Sequence, residues 1–319
     1  MQRFLVLLLF LFAFNVRTAS PDEEKDPQSR RIPSIPLKGE RLRVIIDSDA
    51  KNEIDDQWAI TLAILSPERF AIEGFVAANY GRPDAINRSF NEIQKVLKLA
   101  GMEGKYPVKR GSHPLQYRQQ ATESEGVDFI IDKAMQSTPD DPLWVVGLGA
   151  ATDMASAYLK EPKIIDRVIA FWHFRTHWPE KCINNNVICD ARAARLVFHS
   201  PLSFVLFDAG TYLYCPIEES ERFVKPFGKI GQYLHEYRYD RPNWIKPSKF
   251  FPDLGDIAAL LDPELACWQV VDCPDVDQDL DYLFTRTKGK ILRCYHVDRD
   301  KTFELFYNKL KNHYSGHYR

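Results

Sequence analysis

An apolar, β-branched run, Val44-Ile45-Ile46, stops abruptly at Asp47, and four aspartates (Asp47, Asp49, Asp55 and Asp56) crowd into ten residues. The run reads as a buried strand. Beyond the acids, Trp58, Ile60, Leu62, Ala63 and Leu65 read as an amphipathic helix. A strand that passes through a short loop into a helix is the repeating unit of an α/β sheet. Open sheets of that kind bind ligands at the carboxyl ends of their strands. Carboxylates this close repel one another unless a cation or shared protons hold them, so the bare chemistry asks for a hard, oxygen-preferring metal. A helix cap and a solvated turn account for one or two such acids, not for four.

The rest of the chain repeats the unit. Strand-like segments at 70–79, 106–111, 143–148, 168–172 and 202–207 alternate with helix-like segments at 84–99, 127–135, 153–159 and 190–198. Asp84 is expected to cap the second helix and Gly101 to stop it. Crossovers of this length predict an α/β fold: an open, mainly parallel sheet flanked by helices, with a Rossmann-like core. Residues 220–251 are aromatic and irregular and predict a wall beside the site. Asp253-Leu254-Gly255-Asp256 is expected to open a helix over 257–261. A strand at 290–297 and a helix at 302–310 precede a basic end.

Lys plus Arg total 42 against 44 Asp plus Glu in 319 residues. A nearly neutral chain offers no basic field for nucleic acid or for an anionic membrane surface, which leaves a small molecule as the ligand. Arg3 ahead of the apolar run 4–14 reads as a signal peptide over 1–20, too short for a stable membrane anchor. The protein is therefore expected to be exported, secreted or periplasmic. Residues 21–40 are rich in Pro, Ser and charge and read as a linker, leaving 41–319 as one domain. Export would permit disulfides among Cys182, Cys189, Cys215, Cys267, Cys273 and Cys294, but none forms a CxxC pair that would suggest zinc.

The opening strand with Asp47-Ser48-Asp49 and Asp55-Asp56 resembles the DxDxGxDD motif of the inosine–uridine-preferring nucleoside hydrolase superfamily. Here the loop is two residues longer and lacks the glycine. Four more blocks agree in order. Pro107-Val108, Gly111 and Pro114-Leu115 are similar to its VxxGxxxPL. Residues 127–131 are similar to its next helix. Val145-Val146-Gly147-Leu148 with Thr152-Asp153 is similar to VxxGPLTN. Asn186 with Cys189-Asp190, Ala193-Ala194 and Val197-Phe198 is similar to NxxxDPEAAxxVF. The resemblance covers nearly all of 41–264. It implies a nucleoside hydrolase-like fold and a calcium-dependent hydrolase of N-glycosidic bonds in ribonucleosides or related glycosides. Asp49, Asp56, Asp256 and the Leu148 carbonyl are implied to hold Ca²⁺, with Asp49 also the base that activates water. Asp47, Asp55, Asn79, Asn184, Asn186 and His177 are implied to meet the substrate. The family is commonly oligomeric, so a homo-oligomer is open.

The departures fall on the leaving-group side. The family's last metal Asp usually follows a histidine, and that position is here Gly255. The Glu two residues ahead of its sugar-binding Asn is here Asn184. His173, His177 and Trp178 are candidates to stand near the leaving group. Two other functions compete. A sugar- or nucleoside-binding protein would keep the cage without the acid. A haloacid-dehalogenase-type phosphatase would use Asp47 as nucleophile with Mg²⁺, but gives Asp55 and Asp56 no role.

Overall fold

The computed structural model describes residues 30–242 and 246–315, so the expected signal peptide and residues 21–29 of the expected linker lie outside the described residues. Strands β1 (Leu42–Ser48), β2 (Phe70–Ala77), β3 (Val108–Arg110), β4 (Leu143–Gly147), β5 (Val168–His173) and β6 (Ser203–Phe207) come first. Helices α1 (Asp55–Ile64), α2 (Ala85–Leu99), α3 (Glu125–Met135), α4 (Thr152–Lys160), α5 (Asn185–Cys189) and α6 (Ala191–His199) connect them. Then follow β7 (Tyr214–Pro216), α7 (Ile217–Phe223), α8 (Gly228–Glu236), β8 (Ser248–Phe250) and α9 (Pro252–Leu261). The described chain finishes with β9 (Ala266–Asp272), β10 (Asp275–Val276), β11 (Tyr282–Leu283), β12 (Lys290–Val297) and α10 (Arg299–Ser315).

Eight strands form the main sheet in the order β3-β2-β1-β4-β5-β6-β12-β9, parallel throughout except for the β12–β9 pair. The chain winds one way from β1 to β3 and the other way from β4 to β6, so the switch point lies between β1 and β4. That is where an open α/β sheet leaves a crevice at its carboxyl edge. Alternation along each strand feeds two cores. Val44 and Ile46 join one with Trp144, Val146, Phe171 and Phe207, while Ile45 joins the other with Val145, Ala170 and Leu206.

Several elements differ from the sequence expectation. Helix α1 is buried all round rather than amphipathic, because α9 and α10 cover its outer side: Trp58 packs on Phe251 at 4.2 Å and on Phe306 at 4.8 Å. Asp84 precedes α2 with φ of 60° and caps it with no side-chain hydrogen bond. Strand β9 is additional to the expected elements; it is an antiparallel edge whose exposure follows no clean alternation. All six cysteines are free thiols. No described helix is long and apolar enough to cross a membrane.

Residues 30–40 form neither helix nor strand but are fastened to the domain. The buried Arg30 guanidinium donates to the carbonyls of Val197, Phe198 and Ser200 at the end of α6. The buried Arg69 reaches from the other side, donating to Leu260 O at 2.7 Å, Leu37 O at 2.6 Å and Pro36 O at 2.9 Å. Arg69→Met would leave these buried carbonyls unpaired, so we expect a loss of about 2–4 kcal/mol. A denaturation midpoint equal to wild type would refute that linchpin role.

Candidate metal and substrate site

Strand β1 ends at the switch point and carries Asp47 there, with Asp49 next in the loop. Asp55 and Asp56 occupy the first turn of α1, where unpaired N–H groups favour carboxylates. Ser48 Oγ donates to Asp56 Oδ1 at 2.6 Å, and Asn52 Nδ2 to Asp49 Oδ2 at 3.0 Å. From the facing side α9 begins at Pro252, a residue suited to the first helical position. Asp253 and Asp256 therefore sit three apart within one helix and share a face. His173 closes the ring from the end of β5.

Two groups of ligand atoms result, each with all its members within 4.8 Å of one another: Asp55, Asp56 and Asp253, and His173, Asp253 and Asp256. Asp253 belongs to both. His173 Nδ1 lies 2.7 Å from Asp256 Oδ2 and 3.6 Å from Asp253 Oδ1.

Burial raises every acid here. Asp253 is held well above the usual carboxylate range by burial and then by Asp55, Asp56, Asp256 and Asp49. Asp49 is raised by burial and by Asp56 and Asp55. Burial followed by Asp55 pushes Asp56 up to about 8. Asp47 is raised by burial, Asp153 and Asp49, and neither of its oxygens has a hydrogen-bond partner. Asp256 is raised by burial and Asp55, and its Oδ1 is likewise unpartnered. His173 is pushed down to about 3, first by burial and then by Arg175, so its imidazole is neutral. Orphaned buried oxygens and raised acids together describe a cage whose charge a cation would balance.

The residues expected from sequence fall into three sets. Asp47, Asp49, Asp55, Asp56 and Asp256 do converge, although Asp47 and Asp49 are in neither three-ligand group. Asn79, Asn186 and Leu148 lie just behind the acids and are largely engaged with each other's surroundings. Asn186 Nδ2 donates to Leu148 O at 2.6 Å and to His173 O at 3.0 Å, tying β4 to β5. Asn79 Nδ2 donates to Ser112 O and Thr152 Oγ1, leaving a buried, unpartnered Oδ1. Asn184 and His177 make local contacts of their own. The Asn184 side chain caps α5 by accepting from Val187 N at 2.9 Å. His177 is exposed and pairs through its backbone with Lys181.

Asp253 and His173 are missing from the expected ligand set. Pro252 is the available signal for Asp253, since it starts the helix five residues earlier than the expected 257. The helix therefore takes in Asp253, Gly255 and Asp256 together. A Cβ on Gly255 would lie 2.7 Å from Leu213 Cδ1 and 3.1 Å from Phe207 Cζ, so that position faces the core and not the leaving group. Gly147 is equally constrained, with the Trp172 ring laid across it and Trp172 Nε1 donating to Gly149 O at 2.9 Å.

The aromatic segment does build a wall. Arg241 donates to Lys51 O at 3.0 Å and Asn52 O at 3.1 Å, and Lys249 Nζ lies 2.6 Å from Glu53, so the middle of the acid loop is pinned to the wall. Arg175 stacks over Phe250 at 5.2 Å on the same rim.

Known proteins share this fold. A plant nucleoside hydrolase superposes with a TM-score of 0.69 at 18% identity, over 85% of this chain and 99% of that one. A purine-preferring ribonucleoside hydrolase from Gardnerella vaginalis gives 0.68 at 19%, over 85% and 98%. At such identity the likeness speaks for the fold alone. In sequence, the inosine-uridine preferring nucleoside hydrolase of Crithidia fasciculata is 24% identical over 181 residues, which is 49% of this chain and only 56% of that relative. The sequence profile described as inosine-uridine preferring nucleoside hydrolase matches residues 44–304, and the chain belongs to that family.

Proposed function

We propose that the protein hydrolyses the N-glycosidic bond of ribonucleosides or related glycosides at the β1–α1–α9 acid cluster, with calcium as its cation. The observation that carries this reading is the convergence of Asp49, Asp55, Asp56 and Asp253 at the carboxyl edge of a sheet of this family. The donors are all hard oxygens, which suit Ca²⁺. When bound, such an ion supplies a fixed positive anchor for a sugar diol and for water.

The chain's own part follows from its side chains. Asp49, oriented by Asn52, is placed to take a proton from attacking water. Carboxylates on one face stabilise the positive charge that builds on the sugar as its bond to the base lengthens. The Asn79 Oδ1 that lacks a partner is available to a sugar hydroxyl. The phosphatase reading falls with the family assignment, and Asp47, fully buried, is not presented as a nucleophile.

Among the described residues, the positions expected to hold the leaving-group acid carry none that is ready to donate. Pro252 has no titratable group, Gly255 faces the core, and His173 is held neutral by burial and Arg175. General acid catalysis contributes about 10²–10⁴-fold, so turnover should track the leaving group's pKa. We expect p-nitrophenyl riboside to be hydrolysed at least about a hundredfold faster than inosine. Equal rates would mean that another residue is the acid. Tight binding of both without turnover would leave a binding protein in place of an enzyme.

A further inference from the structure

We propose that Glu92 is a positioning residue for the acid loop: from the buried face of α2 it fixes Lys51 and Gln57, and through them the backbone that aims Asn52 at Asp49. It rests on the reading above for the role given to Asp49, while the contacts that carry it stand without that reading.

Glu92 is the odd residue on its helix. The buried face of α2 carries Ile86, Ile93, Val96 and Leu97, and a carboxylate among them is costly unless it is compensated. Glu92 is only 4% exposed, and donors from three different elements meet it. Gln57 Nε2 of α1 donates to its Oε1 at 3.2 Å, Tyr233 OH of α8 donates to the same oxygen, and Lys51 Nζ of the acid loop lies 3.4 Å from its Oε2. Packing of α2 against its neighbours asks for no charge at that position.

The contacts run on to the site. Gln57 Nε2 also donates to the Ala50 carbonyl, and Lys51 is next in the chain. Asn52 follows; its backbone N–H donates to Asp49 O at 2.8 Å and its Nδ2 to Asp49 Oδ2 at 3.0 Å. Glu92 therefore holds the two residues between Asp49 and Asn52, which set how those two side chains meet. The loop needs such a hold, being two residues longer than the motif it resembles and lacking the glycine of a tight turn. The Lys51 ammonium also lies 4.2 Å over the Tyr237 ring, so the same cation reaches the wall. With Glu92 gripping the Lys51 side chain and Arg241 the carbonyls of Lys51 and Asn52, Asp49 is placed before any ligand arrives. Less then has to be ordered on binding.

Glu92→Gln in the full chain tests this, since it keeps the shape and an acceptor for Tyr233 but removes the charge facing Lys51. We expect hydrogen exchange of the amides at 50–53 in metal-free protein to quicken by at least about tenfold, with the amides of α2 and α8 still protected, which also shows that the variant folds. Calcium affinity, measured by calorimetry with CaCl₂, should fall by about 10–100-fold. Lys51→Met should cause a similar loss, and the double variant should lie within about twofold of the worse single one, because both remove the same contact. Lys95→Met removes a cation 4.0 Å from the Tyr233 ring but none from the loop, and should change neither measurement. Unchanged loop exchange in Glu92→Gln, or losses that multiply in the double variant, overturns the proposal. So does exchange that quickens equally in α2, α8 and the loop, which would make Glu92 a packing residue. Loop exchange that quickens in Glu92→Gln when wild type takes no calcium would sink the calcium reading and leave the role of Glu92 standing.

Discussion

Asp253→Asn should abolish useful calcium binding while making the metal-free protein more stable. The two effects have one cause. Asp253 is the carboxylate common to both ligand groups and feels Asp55, Asp56, Asp256 and Asp49 together. The amide keeps the shape and one oxygen but removes the charge, so we expect calcium affinity to fall by about a hundredfold or more, roughly 3 kcal/mol. Without metal the same charge is only a source of repulsion, so the variant's apo form should melt higher than wild-type apo protein. A conservative change that damaged folding would lower both quantities. Calorimetry with CaCl₂ and thermal melts in chelator separate the cases, and an unchanged calcium affinity would remove Asp253 from the site. Under the proposed function, glycosidase activity should fall with that affinity.

Much of the molecule is legible in the sequence because local rules and tertiary demands agree there. Val44, Ile45 and Ile46 are a strand by pattern and lie at the sheet centre, filling both cores. The acids that follow them have to meet at a sheet edge, and they do. The sequence is less explicit where one residue carries two meanings. Asp253-Leu254-Gly255-Asp256 reads locally as the lead-in to a helix, which makes Asp256 the final metal acid and Gly255 the lost histidine. Pro252 in fact starts the helix, so both acids face the site and Gly255 turns toward Leu213 and Phe207. Asn184 shows the same ambiguity, since an asparagine suited to a sugar is equally suited to an N-cap, and five-residue α5 uses it as one. Strand β9 escapes a pattern search because an antiparallel edge needs little hydrophobic alternation. No local pattern announces His173 as a partner of Asp256, because that pairing joins β5 to α9 across 83 residues.

The metal-free protein should lose stability as pH rises, the reverse of ordinary carboxylate behaviour. Asp47, Asp49, Asp55, Asp56, Asp253 and Asp256 are all raised in the folded chain, by burial first and mostly by one another second. A folded pKa above the unfolded value means that the folded state binds more protons between the two. Protonation therefore favours folding in that window, and stability drains away as pH climbs from about 4, the unfolded carboxylate value. The loss continues to at least about 8, where Asp56 gives up its proton. His173 works the other way in the lower part of that window. Its folded pKa of about 3 lies below the ordinary 6.5, so it adds stability as pH rises toward 6.5 and offsets part of the carboxylate slope, then contributes no slope above it. A tenfold difference in proton affinity between the folded and unfolded chain is worth about 1.4 kcal/mol, so several such groups make the total a matter of several kcal/mol. Saturating calcium should erase most of this slope by balancing the same charges, and the stabilisation it gives should be largest at about pH 8 and smallest near about pH 5. Thermal melts across that range, with chelator and with calcium, measure both curves. A chelated protein that melts higher at the alkaline end of that range than at the acid end would mean that the carboxylates are not a closed, mutually repelling cage.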